Sequence, residues 1–107
     1  MNNSSEIVLS AVDKMSTAFD LPDTDDLIAP EQRLQEVRAM LVQRIIGLLN
    51  SNPEKLMAIL YRIDVSEAAV NEIFVKAFPP DVPELLADSI IARQLAKAET
   101  RRQHSSS

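Results

Sequence analysis

The sequence has no cysteine, no tryptophan and a single glycine among its 107 residues. The lack of cysteine excludes disulfides, thiolate zinc sites and a thiol nucleophile. Tight β-turns and bulges depend on glycine, so its scarcity argues against a sheet. Since the aromatic residues are three phenylalanines and one tyrosine, aliphatic side chains and methionine must supply most of any core.

Residues and motifs suited to catalysis are equally scarce. The one histidine, His104, lies in a serine-rich tail with no fixed partner, whereas a general base must lie within hydrogen-bond reach of its substrate. No phosphate loop, nucleophile elbow or metal-binding ExxH pair is present. The acidic stretch is not a calcium loop, because Leu27 and Ile28 replace a ligand and the central glycine. We expect no enzyme activity, no catalytic residue, no metal, no cofactor and no small-molecule substrate.

Length and composition are those of one small globular domain, with 46% hydrophobic and 25% charged residues. The apolar run from Ile7 to Val12 is short and interrupted by Ser10, and no basic segment precedes it. It therefore predicts neither a signal peptide nor a membrane span. The expectation is a cytoplasmic protein with no membrane partner.

Charge is distributed unevenly along the chain. The net charge is −5, and residues 1–31 hold seven acids against one base, while residues 32–107 hold nine acids against ten bases. A dedicated nucleic-acid binder needs a positive field, so the acidic total argues against that class of partner.

Apolar periodicity predicts an all-α fold, a small bundle of four core helices plus an N-terminal helix on an acidic linker. The predicted domains are an N-terminal arm over 1–29 (helix 6–19 and linker 20–29), a helical core over 30–102 and a disordered tail over 103–107. Three helices open with Pro-Glu, at residues 30, 53 and 83, which is chemistry suited to a first turn. The fourth helix is expected to bury Val70, Ile73, Phe74 and Ala77.

A sharp corner is predicted around Asp64 to Glu67. Ser66 can cap the fourth helix, with Val65 and Val70 forming a hydrophobic staple. In the alternative register Asp64 is the cap and Glu67 completes a capping box. Both registers predict a rigid helix–turn–helix corner.

The run from Ile63 to Val70 resembles the core of the DNA-binding helix-turn-helix, with Asp64 in place of the usual turn glycine. The resemblance implies nucleic-acid contacts from the fourth helix, for which Asn71 and Lys76 are the candidates. Glu67 and Glu72 on the same helix would repel phosphates, so this function is kept as the alternative.

The run from Leu60 to Val65, with the C-terminal segment from Arg93 to Arg102, resembles short uncharacterised helical bacterial proteins. That resemblance covers about the last half of the chain and implies no activity.

The sequence thus favours a non-catalytic protein-interaction or regulatory adaptor module that binds another protein or a second copy of itself. The first candidate site is the apolar stripe of the N-terminal helix, made of Val8, Val12, Met15 and Phe19. We hypothesise that this arm docks in a groove of the core, in cis or by exchange within a homodimer, where a partner can compete with it. The rival hypothesis is that it is a permanent core helix.

A second candidate site is the basic strip on the last helix, made of Arg93, Lys97, Arg101 and Arg102. It is interpreted either as a solvated face or as a docking strip for an acidic partner, including RNA. The acidic linker of the same chain is another candidate partner, through weak and salt-sensitive ion pairs.

Overall fold

The computed structural model describes the backbone of residues 3–24 and 27–105 and the side chains of residues 4–24 and 27–103. In this part of the chain there are five α-helices and one 3₁₀ turn, with no strand, so the predicted all-α fold is confirmed. The elements are α1 (Asn3–Phe19), α2 (Pro30–Ser51), α3 (Pro53–Arg62), α4 (Glu67–Lys76), the 3₁₀ turn (Pro79–Asp81) and α5 (Val82–Ser105).

The three long helices, α1, α2 and α5, pack against one another in pairs. Arg102 forms an ion pair with Glu6, and Arg101 lies beside Ser10, so α1 and α5 run antiparallel. Each helix turns one apolar stripe inward, as its periodicity predicts. The buried positions of these helices include Ala11, Val12, Met15, Phe19, Val37, Leu41, Ile45, Leu48, Leu86, Ala87 and Ile90.

Two helices end at an aspartate in the left-handed conformation. Asp20 follows α1 with a φ of 55°, and Asp64 lies just beyond α3 with a φ of 62°. In both cases the next residue donates its backbone N–H five residues back, Leu21 to Ser16 and Val65 to Leu60, as in a Schellman motif. Aspartate tolerates this conformation better than most residues, which is how sharp turns form in a chain with almost no glycine.

Capping side chains set the starts of the two short helices. The Asn52 side chain accepts a hydrogen bond from the Lys55 backbone N–H at 3.2 Å and begins α3. Ser66 Oγ accepts one from the Ala69 N–H at 3.3 Å and begins α4. The register with Ser66 as the cap is therefore the observed one, and Asp64 serves the turn that precedes it.

Three side chains of α5 hold this corner in place. The buried Gln94 donates its amide to the Ile63 carbonyl at 2.8 Å, and Arg93 Nε donates to the Asp64 carbonyl at 3.0 Å. Lys97 Nζ lies 2.7 Å from Asp64 Oδ2. The two carbonyls that follow α3 thus accept hydrogen bonds from two side chains about thirty positions further along the chain. Burial of Gln94 has no signal in the sequence.

Several predicted boundaries are corrected. α1 begins at Asn3 instead of residue 6, and α5 continues to Ser105, so residues 103–105 are helical and not a disordered tail. Residues 20–24 and 27–29 lie outside the helices, as the linker prediction requires. Asp25 and Asp26 of that linker, and residues 106–107 of the predicted tail, lie outside the described residues.

The predicted burial of the fourth helix is correct for Val70 and wrong for Phe74. Val70 is buried, Ile73 and Ala77 are half-buried, and Phe74 is exposed. The main packing partner of α4 is α5 alone, whereas α1, α2 and α5 each pack against two long helices. A single neighbouring helix buries only part of the apolar face of α4. Phe74 lies on the part of that face that stays exposed.

Candidate interaction surface

Among the described residues six large apolar side chains are exposed, and four of them lie close in sequence around the end of α4, the others being Leu27 and Tyr61. Val75 is 82% exposed, Phe78 77%, Phe74 43%, and Leu85 in the first turn of α5 41%. We call these four residues the apolar surface. Isolated exposed hydrophobic residues are ordinary, whereas large contiguous apolar patches are typical of interaction sites.

The aromatic residues divide into one that is buried and three that are exposed. Of the four in the chain, all of them described, Phe19 is buried, and Tyr61, Phe74 and Phe78 are exposed. A small chain with so few rings would gain most stability by burying them. Aromatic residues are enriched in protein interfaces, so the three exposed rings are candidates for contact with a partner.

A groove of about 380 Å³ lies between α4 and α5, and Leu85 is the one residue of the apolar surface that lines it. Its apolar lining comes from Ala69, Ile73, Ala77 and Leu85, and Glu72 and Lys76 complete it. Lys76 Nζ lies 3.0 Å from Glu72 Oε1, one turn earlier in the same helix. The two alanines leave room that a larger side chain would fill.

The prolines after Phe78 explain why α4 ends there and why Phe78 remains exposed. Pro79 and Pro80 cannot continue a helix, so α4 ends and the chain forms a 3₁₀ turn, closed by a hydrogen bond from the Asp81 N–H to the Phe78 carbonyl at 2.9 Å. Val82, immediately after the turn, is buried and anchors the start of α5. Phe78 lies between a completed helix and this anchor and remains outside the core.

The segment that contains the apolar surface is rich in acidic residues. Residues 67–88 contain one base, Lys76, and five acids, namely Glu67, Glu72, Asp81, Glu84 and Asp88. Of these acids, Asp88 forms an ion pair with Arg38 at 2.9 Å, which raises the pKa of Arg38. Glu67 accepts the Tyr61 hydroxyl, and this hydrogen bond raises the pKa of Tyr61. Most of these acids therefore have partners within the chain, since Glu72 also forms an ion pair with Lys76.

The candidate arm residues occupy a different environment. Val12, Met15 and Phe19 are buried in the core, and Val8 is half-buried against it. Arg44 Nε, 3.3 Å from the Phe19 carbonyl, adds a polar contact between α2 and the end of α1. In this structure the rest of the chain covers the apolar stripe of α1. A partner could contact that stripe only if α1 separated from the core.

The candidate basic strip has its partners within the chain. Arg93 and Lys97 bind Asp64 at the corner, and Arg101 and Arg102 contact Ser10 and Glu6 of α1. The strip therefore joins α5 to the corner and to the N-terminal helix. The pKa of Asp64 is lowered, first by its hydrogen bond with Lys97 and then by the charge of that ammonium.

The corner has the local shape that the helix-turn-helix resemblance implies. A left-handed Asp64, a buried Val65 and a capping Ser66 join two short helices. Asn71 and Lys76 are both exposed, so both candidate contacts are accessible. Lys76 is paired with Glu72, however, and no arginine lies on α4.

Within the described residues, no group of three or more His, Asp or Glu side chains is placed to hold a metal ion. In the same residues no helix is both long and apolar enough to cross a bilayer.

Sequence reasoning missed this surface. The missed signal is Phe78-Pro79-Pro80, where an aromatic residue stands just beyond a helix and directly before two helix breakers. Such a residue can join the core only if a neighbouring element covers the end of the helix.

Comparisons with protein-family models, with curated proteins and with solved structures find nothing that matches this chain.

Proposed function

We propose that the chain is a non-catalytic protein-interaction module that binds a protein partner through the apolar surface. The observation that carries the proposal is the exposure of Phe74, Val75, Phe78 and Leu85 within the segment that joins α4 to α5. Interfaces take their energy from a few large side chains near the centre, and exposed aromatic residues are suited to that role.

The stability of the fold does not explain why these exposed residues are apolar. An exposed phenylalanine contributes little to the free energy of unfolding and increases the risk of aggregation. Binding supplies the reason, because a partner that covers these side chains removes their apolar area from water, at about 25 cal/mol per Å². A role as a regulatory or adaptor module agrees with this, since such a protein needs only a stable scaffold and one surface.

The test is affinity capture from lysate of the source cell with matched baits. The wild-type chain and a Leu27→Ser control should retain the same protein partner, because Leu27 is exposed but lies in the linker far along the sequence from the surface. A Val75→Ser, Phe78→Ser bait should lose it. If the double variant retains every partner that the wild type retains, the apolar surface is not the binding site.

Nucleic-acid binding is the second candidate, and the geometry of the corner favours it. The acidic character of residues 67–88 opposes it, because phosphate contacts require a positive surface. We expect no mobility shift with duplex DNA at low salt. A shift that weakens steeply with salt and disappears in Asn71→Ala, Lys76→Ala would establish this second function in place of the first.

A further inference from the structure

We infer that α4 opens as one unit, separating from α5 while the three long helices and the corner at Asp64 stay folded. Segments that open locally in this way are those with few buried apolar contacts. The packing of α4, its polar contacts and the anchors on either side of it all have this character.

Little apolar burial holds α4 against the rest of the molecule. All ten of its residues are described, and Val70 alone is buried, whereas α2 has four buried residues. The main packing partner of α4 is α5, and the groove lined by Ala69, Ile73 and Leu85 lies between the two helices. A helix of ten residues is not stable in water by itself. The closed position of α4 therefore depends mainly on Val70 and on the half-buried Ile73.

The polar contacts of the α4 side chains lie within the helix or at its start. Lys76 Nζ pairs with Glu72 Oε1 one turn earlier in the same helix, at 3.0 Å. Glu67, the first residue of α4, accepts the Tyr61 hydroxyl. All four side chains are exposed, so these contacts contribute little to holding the helix closed.

The segments on either side of α4 are anchored independently of it. Before α4, Val65 is buried, and Gln94 of α5 donates its amide to the Ile63 carbonyl at 2.8 Å. After α4, Val82 is buried at the start of α5. The helix can therefore open between residues 66 and 78 while both anchors keep their places.

Opening of α4 changes the apolar surface. Phe74 and Val75 move with the helix, whereas Leu85 lies in the first turn of α5 and stays with the core. A partner that contacts all of these residues at once therefore selects the closed form and holds α4 in place. Selection of the closed form rests on the proposed function, whereas the opening itself rests on the fold alone.

Amide hydrogen exchange of the full chain, labelled with ¹⁵N and without any partner, measures the opening. The amides of residues 70–77 have acceptors within α4, beginning with the Ser66 carbonyl, so they exchange when this helix opens. After correction for intrinsic rates, we expect them to exchange at least about a hundredfold faster than the amides in the buried turns of α2. The Val65 amide, bonded to the Leu60 carbonyl at the corner, should exchange as slowly as those of α2.

Two variants separate local opening from global unfolding. Val70→Ala removes the main apolar contact of α4 and should speed exchange in α4 at least about tenfold. Ile45→Val removes one methyl group from the core, which stays folded when α4 opens. It should therefore speed exchange in α2 about fivefold and change exchange in α4 less than about twofold. Both helices lie wholly within the described residues, where they share no substantial contact. Circular dichroism confirms that each variant is folded.

Three results would overturn the inference. Equal acceleration of α2 and α4 by Ile45→Val would show that α4 opens only when the whole domain unfolds. Protection of α4 within about threefold of that of α2 would show the same. Exchange of the Val65 amide together with α4 would show that the corner is not a fixed anchor. Since the exchange is measured without a partner, each of these results leaves the proposed function to its own test with the Val75→Ser, Phe78→Ser bait.

Discussion

α1 and α4 are both amphipathic helices, yet they use their apolar residues in opposite ways. α1 packs against both α2 and α5 and contributes four buried side chains to the core, from Ala11 to Phe19. α4 packs mainly on α5 and contributes one, Val70, while Phe74 and Val75 remain exposed. The comparison teaches that the number of neighbouring helices, more than the apolar content of a helix, decides how much of its surface serves folding.

Deletion of residues 1–29 is the most severe test of this contrast. We expect the truncated chain to lose its cooperative unfolding transition, because each large buried side chain of α1 is worth about 2–5 kcal/mol and a whole domain only about 5–15 kcal/mol. Circular dichroism during heating measures the transition. A truncated chain that still melts cooperatively and binds a hydrophobic dye would instead establish α1 as a detachable arm.

Two phenylalanines test the same contrast without removing a helix. Phe19→Ala should lower the free energy of unfolding by about 3–5 kcal/mol, because Phe19 is 1% exposed and its loss leaves a cavity. Phe78→Ala, the matched change at an exposed position, should lower it by less than about 0.5 kcal/mol. Urea denaturation gives both values. Similar losses at the two positions would show that Phe78 is buried in solution and would remove the basis of the apolar surface.

The two side-chain caps compare the starts of the two short helices, α3 and α4. Asn52→Ala and Ser66→Ala should each lower the free energy of unfolding by about 0.5–2 kcal/mol, because each leaves one backbone N–H without its acceptor. Ser51→Ala is the control. Its hydroxyl bonds to the Gly47 carbonyl within α2 and caps nothing, so we expect less than about 0.5 kcal/mol. No loss in Ser66→Ala would mean that α4 is held by its contacts with α5 alone.

The smallest expected effect is on stability at acid pH, through the ion pair between Asp64 and Lys97 that joins the corner to α5. Lys97 lowers the pKa of Asp64 in the folded protein, so this pair stabilises the fold above the unfolded pKa of aspartate, at about pH 4. The contribution is lost as the pH falls through the lower, folded pKa. Asp64→Asn and Lys97→Gln should each make the melting temperature depend less steeply on pH between about 5 and 2. An unchanged slope in both would show that the pair does not form in solution.

Local features of the fold were largely predictable. Helix starts follow from Pro-Glu and from Ser66, and the corner at Asp64 follows from a short polar break between two apolar patterns. These are interactions between residues a few positions apart, so the local sequence is sufficient to indicate them. The start of α1 and the end of α5 were placed wrongly, at residues 3–5 and 103–105, because polar residues are compatible with both helix and coil.

The candidate site was not predictable to the same degree. The stripe of Val8, Val12, Met15 and Phe19 was correctly identified as apolar, but the sequence could not show that α2 and α5 cover it in this structure. The strip from Arg93 to Arg102 was correctly placed on one helix, but its contacts with Asp64, Ser10 and Glu6 join residues far apart along the chain. Nothing in local sequence specifies such pairs.

By itself the sequence determined that the chain is all-helical, where its turns lie and which side of each helix is apolar, because these depend on backbone conformation and on a period of 3.6 residues. Only the tertiary structure decided that Gln94 is buried and that Phe74 and Phe78 are exposed. The physical reason is that burial depends on how many neighbours an element has. Three long helices enclose one another, whereas α4 lies at the edge with a single large neighbour, and the apolar residues that this neighbour does not cover are the ones available to a partner.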